Sequence, residues 1–256
     1  MNNDQFEAQM RALERYHGLQ VEQDAFIVLR VDGRSFSAFT AARFQKPFDD
    51  RFHQLMITTA RALLANLQGI YAYTESDEIS VLLPRDTTLF DREVEKLVSI
   101  SASVATGAFT LAYGESVCFD SRLCVCPTMQ EVTDYFRWRQ SDAERCALNG
   151  WAYWTLRKDG LSEQKASDML GKQPPEFKRT LLLQHSIEWS NLPHWQRYGT
   201  GLYWEAYEKE GYNPLTGERI MAQRRKINVD EALPVRSDYT QLLQYLVAES
   251  SKKKSA

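Results

Sequence analysis

Two segments of this chain put acidic residues where apolar runs must turn. Phe26-Ile27-Val28-Leu29-Arg30-Val31 leads into Asp32-Gly33-Arg34, and Tyr73-Thr74 leads into Glu75-Ser76-Asp77 before the chain resumes as Glu78-Ile79-Ser80. Two carboxylates gathered from such turns make a site for a hard divalent cation, and a site with open coordination positions also holds substrate phosphates. That is the chemistry of nucleotidyl transfer. Taken singly, Asp-Gly is an ordinary turn dipeptide and Ser-Asp-Glu ordinary hairpin chemistry. Catalysis is implied only if the surrounding elements bring the two turns together.

The periodicity predicts that they do. Over residues 26 to 32, Ile27, Leu29 and Val31 point one way while Val28, Arg30 and Asp32 point the other, with Gly33 free to turn. Residues 47 to 66 read as a helix with Pro47 as its first residue and Phe48, Phe52, Leu55, Met56, Leu63 and Leu64 as its apolar stripe. Strands at about 70 to 74 and 78 to 83 then flank a tight hairpin with Asp77 at its tip. A second helix at about 90 to 112 and a strand holding Leu123 and Val125 complete the order strand, helix, two strands, helix, strand. That order defines an α+β fold of the polymerase/cyclase palm type: a split βαββαβ antiparallel sheet with both helices on one face. In it the first strand and the central hairpin are neighbours, so Asp32 and Asp77 converge. Together with the Gly33 carbonyl and phosphate oxygens they suit two magnesium ions. The turn Gly33-Arg34-Ser35-Phe36-Ser37 offers backbone N–H groups to a triphosphate, and Lys46 adds positive charge.

Elsewhere, residues 4 to 17 read as an N-terminal packing helix with Phe6, Met10 and Leu13 on one face, and residues 36 to 44 as an aromatic-rich loop. Residues 128 to 158 look mainly helical, and Ser162 and Gly171 mark the start and stop of another helix. Short apolar segments follow near 181 to 189, 199 to 204 and 219 to 227. This divides the chain into a palm over 1 to 135, a helical and short-strand C-terminal region over 136 to 249 packed on it, and a frayed, disordered tail over 250 to 256.

Composition narrows the class. With 256 residues, 43% of them hydrophobic and 25% charged, the chain is of globular type and large enough for a proper core. No apolar run reaches membrane-spanning length and no signal peptide is evident, so a cytoplasmic protein with no membrane partner and reduced cysteines is expected. The net charge of −3 offers no global attraction to nucleic acid. Any such contact must be local, at Arg137 and Arg139 in Tyr135-Phe136-Arg137-Trp138-Arg139-Gln140, or at Arg224, Arg225 and Lys226. Interleaved aromatic and basic residues suit base stacking and phosphate contact.

An ordered set of segments resembles the tRNA-histidine guanylyltransferase superfamily of 3′-to-5′ polymerases. They are Arg30-Val31-Asp32-Gly33-Arg34-Ser35-Phe36, Lys46-Pro47-Phe48-Asp49, Ser76-Asp77-Glu78, Phe119-Asp120-Ser121-Arg122 and Trp138-Arg139-Gln140-Ser141-Asp142. The resemblance implies nucleotide addition to the 5′ end of a tRNA, templated by the opposite strand of the acceptor stem. By analogy Asp32, Gly33 and Asp77 hold two magnesium ions, and residues Asp32 to Ser37 with Lys46, Ser76 and Asp77 contact the nucleotide. Arg92 and Lys96, on the exposed side of the second helix, match positions that hold a triphosphate. The implied substrates are ATP, which activates the 5′ end, and GTP or another nucleoside triphosphate, and the implied assembly is a homotetramer.

Where eukaryotic members of that superfamily carry a His-Ile-Asn-Asn segment, this chain has Glu144-Arg145-Cys146-Ala147. That departure points to the like-protein branch, hence to templated repair of 5′-truncated tRNAs rather than addition of the extra guanosine to tRNA-histidine. A palm-domain nucleotide cyclase and a non-catalytic tRNA-binding protein are the competing readings.

Overall fold

The computed structural model describes residues 3–252 except 213, 214, 216 and 218. A six-stranded antiparallel sheet organises it, built from β1 (Phe26–Gly33), β2 (Tyr71–Glu75), β3 (Glu78–Leu82), β4 (Phe119–Cys126), β5 (Thr200–Tyr212) and β6 (Arg219–Asp230) in the order β4-β1-β3-β2-β5-β6. The first four strands have the order of the split βαββαβ unit, and β1 lies beside β3 as the periodicity requires. Ile27, Leu29 and Val31 point from β1 onto α3 (Asp50–Asn66) and α4 (Val94–Tyr113), where they meet Met56, Leu64, Leu97 and Phe109 in one core. Val28 points to the other face and a second core. There α5 (Met129–Lys158) and α9 (Arg236–Lys252) contribute Phe136, Tyr239 and Leu243 against Tyr71, Tyr73 and Leu82. The Tyr71 and Tyr239 hydroxyls share a buried hydrogen bond of 2.9 Å, so this core also satisfies its polar atoms.

Several boundaries differ from expectation for local reasons. Pro47 follows a cis peptide and is not helical; Asp49 caps α3 instead, its carboxylate accepting from the N–H groups of Arg51 and Phe52 at 2.8 and 3.1 Å. The stretch read as an aromatic loop contains a helix, α2 (Phe36–Arg43), entered through Ser35 at φ 61°. A Cβ on Gly33 would collide with the Phe36 ring, so glycine is what lets the chain fold back there. The helix expected from residue 90 begins only at Val94, because Phe90, Asp91 and Arg92 have φ of 52°, 51° and 60°. Left-handed backbone cannot continue into a right-handed helix.

At the N-terminus, α1 (Asn3–Arg11) ends six residues short of the expected 17 and is not a packing helix within the chain: none of its residues is buried, and Phe6 is 55% exposed. The apolar segments near 199 and 219 are the starts of long strands, and β5 extends the palm sheet by pairing with β2. A Cβ on Gly199, just before β5 at φ 74°, would strike the Tyr73 ring, which fixes how the hairpin joins. Ser250 to Lys252 continue α9 rather than fraying, and residues 253 to 256 lie outside the described ones.

The remaining connection runs through α6 (Glu163–Leu170), α7 (Pro175–Gln184) and α8 (His194–Tyr198). Ser162 caps α6 by accepting from the Lys165 N–H at 3.3 Å, and Gly171 ends it. α5 is a single 30-residue helix opened by a capping box between Thr128 and Glu131. At about 45 Å it reaches from the palm to these smaller helices.

Candidate active site

The sheet register sets Asp32 opposite Glu78 on β3 and Asp120 on β4. The Gly33 N–H donates to the Asp77 carbonyl at 3.1 Å, tying the end of β1 to the tip of the β2–β3 hairpin. Ser76 makes that tip in left-handed backbone (φ 48°), and its hydroxyl donates to Asp77 Oδ1 at 3.0 Å.

The charge of Asp32 reaches Asp77. Burial lifts the Asp77 carboxyl above its ordinary range and the charge of Asp32 lifts it further, while the Ser76 hydroxyl and Lys46 counter only part. Burial and then Asp120 lift Asp32 in the same way, against Arg122, Arg30 and Arg139. A pair of oxygen-donor groups whose charges are under-compensated fits a hard cation. Among the described residues no cluster of three or more His, Cys, Asp or Glu is arranged to hold a metal.

Two adjoining cavities open beside these residues. One, of about 260 Å³, is lined by Phe36, Ser37, Lys46, Ser76, Asp77 and Trp154. The other, of about 180 Å³, shares Lys46, Ser76 and Trp154 and continues to Phe48, His53, Cys146 and Trp195. Lys46 Nζ donates to Thr40 Oγ1 at 2.6 Å, and burial lowers its pKa against the pull of Asp77 and Asp49. The backbone cradle is narrower than the turn implied. Gly33 N–H is spent on Asp77 and Arg34 N–H on the Cys118 carbonyl at 2.9 Å, which leaves the N–H groups of Ser35, Phe36 and Ser37 at the start of α2. The Phe36 side chain is buried in the core and the Arg34 side chain is exposed.

Two expected phosphate or RNA contacts have other work. Arg92 precedes α4 and is only 4% exposed; its guanidinium donates to the carbonyls of Val21, Glu22, Ala25, Arg85 and Thr87 at 2.6 to 3.3 Å. Such a hub fixes the loop before α4 and offers nothing to a ligand. Arg139 is buried between Glu78, at 2.6 and 2.9 Å, and Glu75, at 2.7 Å. Lys96 is exposed as expected and pairs with Glu93 at 2.9 Å. Arg224 and Arg225 lie exposed on β6, an outer strand four positions from β1, and the Arg225 guanidinium sits 4.9 Å from the Trp204 ring centroid. The fold does not bring them to Asp32 within one chain.

Sequence reasoning missed the aromatic wall. His53 stacks on Trp195 at 3.8 Å and 8°, and its Nε2 lies 3.0 Å from Glu231, while Phe48 meets Trp195 edge-on at 5.6 Å. These residues come from the segment before α3 (Phe48), α3 (His53), α8 (Trp195) and the loop after β6 (Glu231), so no local motif joins them; only the position of Phe48, two residues after Lys46, hinted at the site.

A palm sheet that gathers two carboxylates beside a basic, aromatic-lined cleft defines a nucleotidyl-transfer domain. Residues 7–127 match the family model for tRNAHis guanylyltransferase and residues 130–244 the model for the Thg1 C terminal domain. The chain belongs to the tRNAHis guanylyltransferase family, whose members are nucleotidyltransferases. It is 33% identical to the tRNA(His) guanylyltransferase of Debaryomyces hansenii over 226 residues, covering 81% of this chain and 85% of that one. The chain spans 34% to 66% of the length of relatives from Arabidopsis thaliana, Drosophila melanogaster and Mus musculus. The crystal structure of the Saccharomyces cerevisiae enzyme superposes with a TM-score of 0.70 at 27% identity, over 75% of this chain and 91% of that one. A bacterial tRNA(His) guanylyltransferase (Thg1)-like protein in complex with GTP gives 0.72 at 26% identity, over 95% and 99%. Among the described residues no helix is long and apolar enough to cross a membrane.

Proposed function

We propose that this protein adds nucleotides to the 5′ end of tRNA in the 3′-to-5′ direction, copying the opposite strand of the acceptor stem, and so repairs 5′-truncated tRNAs. The observation that carries this reading is the meeting of Asp32 and Asp77 through the Gly33–Asp77 hydrogen bond, within the fold of this family. In the first step a 5′-monophosphate oxygen attacks the α-phosphorus of ATP and pyrophosphate leaves. In the second, the 3′-hydroxyl of the incoming nucleoside triphosphate attacks the activated 5′-phosphorus and AMP leaves.

Asp32 and Asp77, with the Gly33 carbonyl, would hold two magnesium ions. When bound, these supply charge neutralisation on the phosphoryl group and a more acidic attacking hydroxyl. The N–H groups of Ser35, Phe36 and Ser37 face the triphosphate, Lys46 places a positive charge beside it, and Ser76 orients Asp77. Residues 1 to 135 act as the catalytic palm, and 136 to 249 pack on it and extend its sheet through β5 and β6, the division falling inside α5. A homotetramer belongs to the same proposal and is supported by the uncovered apolar side chains of α1.

A second reading, addition of guanosine to tRNA-histidine, is favoured by the 33% identity to a tRNA(His) guanylyltransferase. Repair is favoured by the residues standing in place of His-Ile-Asn-Asn. Cys146 and Ala147 line the cavity beside Lys46, and Arg145 is paired with Asp142. Offering tRNAs that lack the first nucleotide, each with a different opposing base, separates the two. Incorporation that follows the template is expected; guanosine incorporated whatever the opposing base would select the second reading.

A further inference from the structure

We infer that the exposed indole of Trp138 is a stacking platform for the base at the 5′ end of the RNA. This rests on the reading of the protein as an enzyme that acts on an RNA 5′ terminus. Trp138 lies on α5 and is 54% exposed, yet its position is fixed from the protein side. The Arg139 guanidinium carbon sits 4.7 Å from the ring centroid and that of Arg30 5.7 Å, while Tyr135 meets the indole edge-on at 5.9 Å. Arg139 is clamped by Glu75 and Glu78, while Arg30 lies against Glu78 at 3.8 Å, its buried Nε without a hydrogen-bond partner. An aromatic surface ordered before its ligand arrives loses little conformational entropy on binding.

Its surroundings suit the end of a nucleic acid. Arg30 precedes Asp32 by two residues on the same strand face, a rise of about 7 Å, so the indole's anchor stands roughly one nucleotide step from the candidate metal carboxylates. Arg122, the cross-strand partner of Arg30, and Arg137, the residue before Trp138, have side chains each 49% exposed, and each is paired with an aspartate that offsets part of its charge, Asp120 at 3.2 Å and Asp134 at 3.7 Å. Trp138 has only its indole N–H with which to read a base edge. Stacking is sequence-tolerant because every base has a π-face, which is what a templated enzyme needs at the terminus it extends.

The test measures RNA binding by fluorescence anisotropy, with an acceptor-stem hairpin whose 5′-terminal nucleotide either carries its base or is abasic. Wild-type protein is expected to bind the abasic hairpin about 10-fold more weakly. Trp138→Ala should bind both hairpins equally and about as weakly as wild type binds the abasic one, and Trp138→Phe should stay close to wild type. Should Trp138→Ala melt early, Trp138→Leu keeps bulk without a π-face and reads the same quantity. If the alanine or leucine variant still distinguishes the two hairpins as wild type does, the platform is wrong. A change of oligomeric mass in the variant would also overturn it, by placing the indole between copies of the chain. Binding does not depend on turnover, so failure of wild type to extend any RNA 5′ end would strike the proposed activity and leave the stacking result to stand or fall by itself.

Discussion

Asp77→Asn is expected to cut nucleotide addition by about 10³-fold, or about 4 kcal/mol, and to raise the melting temperature measured in chelator. The first effect follows from removing a charged oxygen ligand where phosphoryl charge develops. The second follows from the carboxyl's own predicament. Its pKa is raised, chiefly by burial and then by Asp32, so the proton is held more tightly in the folded chain than in the unfolded one. The stability this contributes is fully present below the unfolded value and is lost as pH rises through the folded value. Above the folded value the ionised carboxylate therefore opposes folding until a cation arrives, and the amide removes that penalty. Magnesium should raise the melting temperature of wild type more than that of Asp77→Asn. A variant that melts lower than wild type in chelator would mean that protein donors already compensate the Asp77 charge, against its role as a cation ligand.

Arg139→Ala should destabilise the fold by about 3–5 kcal/mol, the cost of leaving buried carboxylates without their partner. Glu78 accepts from Nε and Nη2 at 2.6 and 2.9 Å, and Glu75 from Nη2 at 2.7 Å. Burial pushes the Glu75 carboxyl up to about 8 against the pull of Arg139. The same desolvation works against the guanidinium, but Glu78 and Glu75 outweigh it and hold the charge in place. Glu75 and Glu78 are the two ends of the turn that carries Asp77. Activity should thus fall together with stability, and Arg139→Lys should not restore it, because one ammonium lacks the fork that spans two carboxylates. Urea midpoints at unchanged m-value measure the effect. A shift worth less than about 1 kcal/mol, typical of a solvated pair, would show that Arg139 is not the anchor of the hairpin.

How far the sequence could be read depended on whether a residue's role was local. The period-two pattern of β1 and the turn residues at Ser76-Asp77 specify strand faces and a hairpin tip, so the meeting of Asp32 and Asp77 was legible, as were the palm order and the capping of α6. Arg92 and Arg139 misled because a guanidinium on a charged segment looks solvated, and only tertiary structure reveals five carbonyls around one and two glutamates around the other. Pro47 resembled a first helical residue, but Asp49 two residues later makes the stronger cap. The start of α4 depends on left-handed backbone at non-glycine residues, which no propensity foretells. The β5–β6 extension was hidden because its outer half is exposed and polar, so apolar spacing marked only its beginning. The stack of His53 on Trp195 joins residues 142 positions apart and leaves no pattern at all.

The direction of synthesis is the central claim, and a blocked terminus tests it. A 5′-truncated tRNA carrying a 5′-monophosphate is oxidised with periodate so that its 3′ end cannot be extended, then incubated with ATP, magnesium and labelled nucleoside triphosphates. Label is expected to enter the oxidised RNA as fast as the untreated one, at the 5′ end and complementary to the opposing base. Incorporation that disappears on oxidation would place growth at the 3′ end, as in an ordinary palm polymerase, and would contradict the function proposed for Asp32 and Asp77.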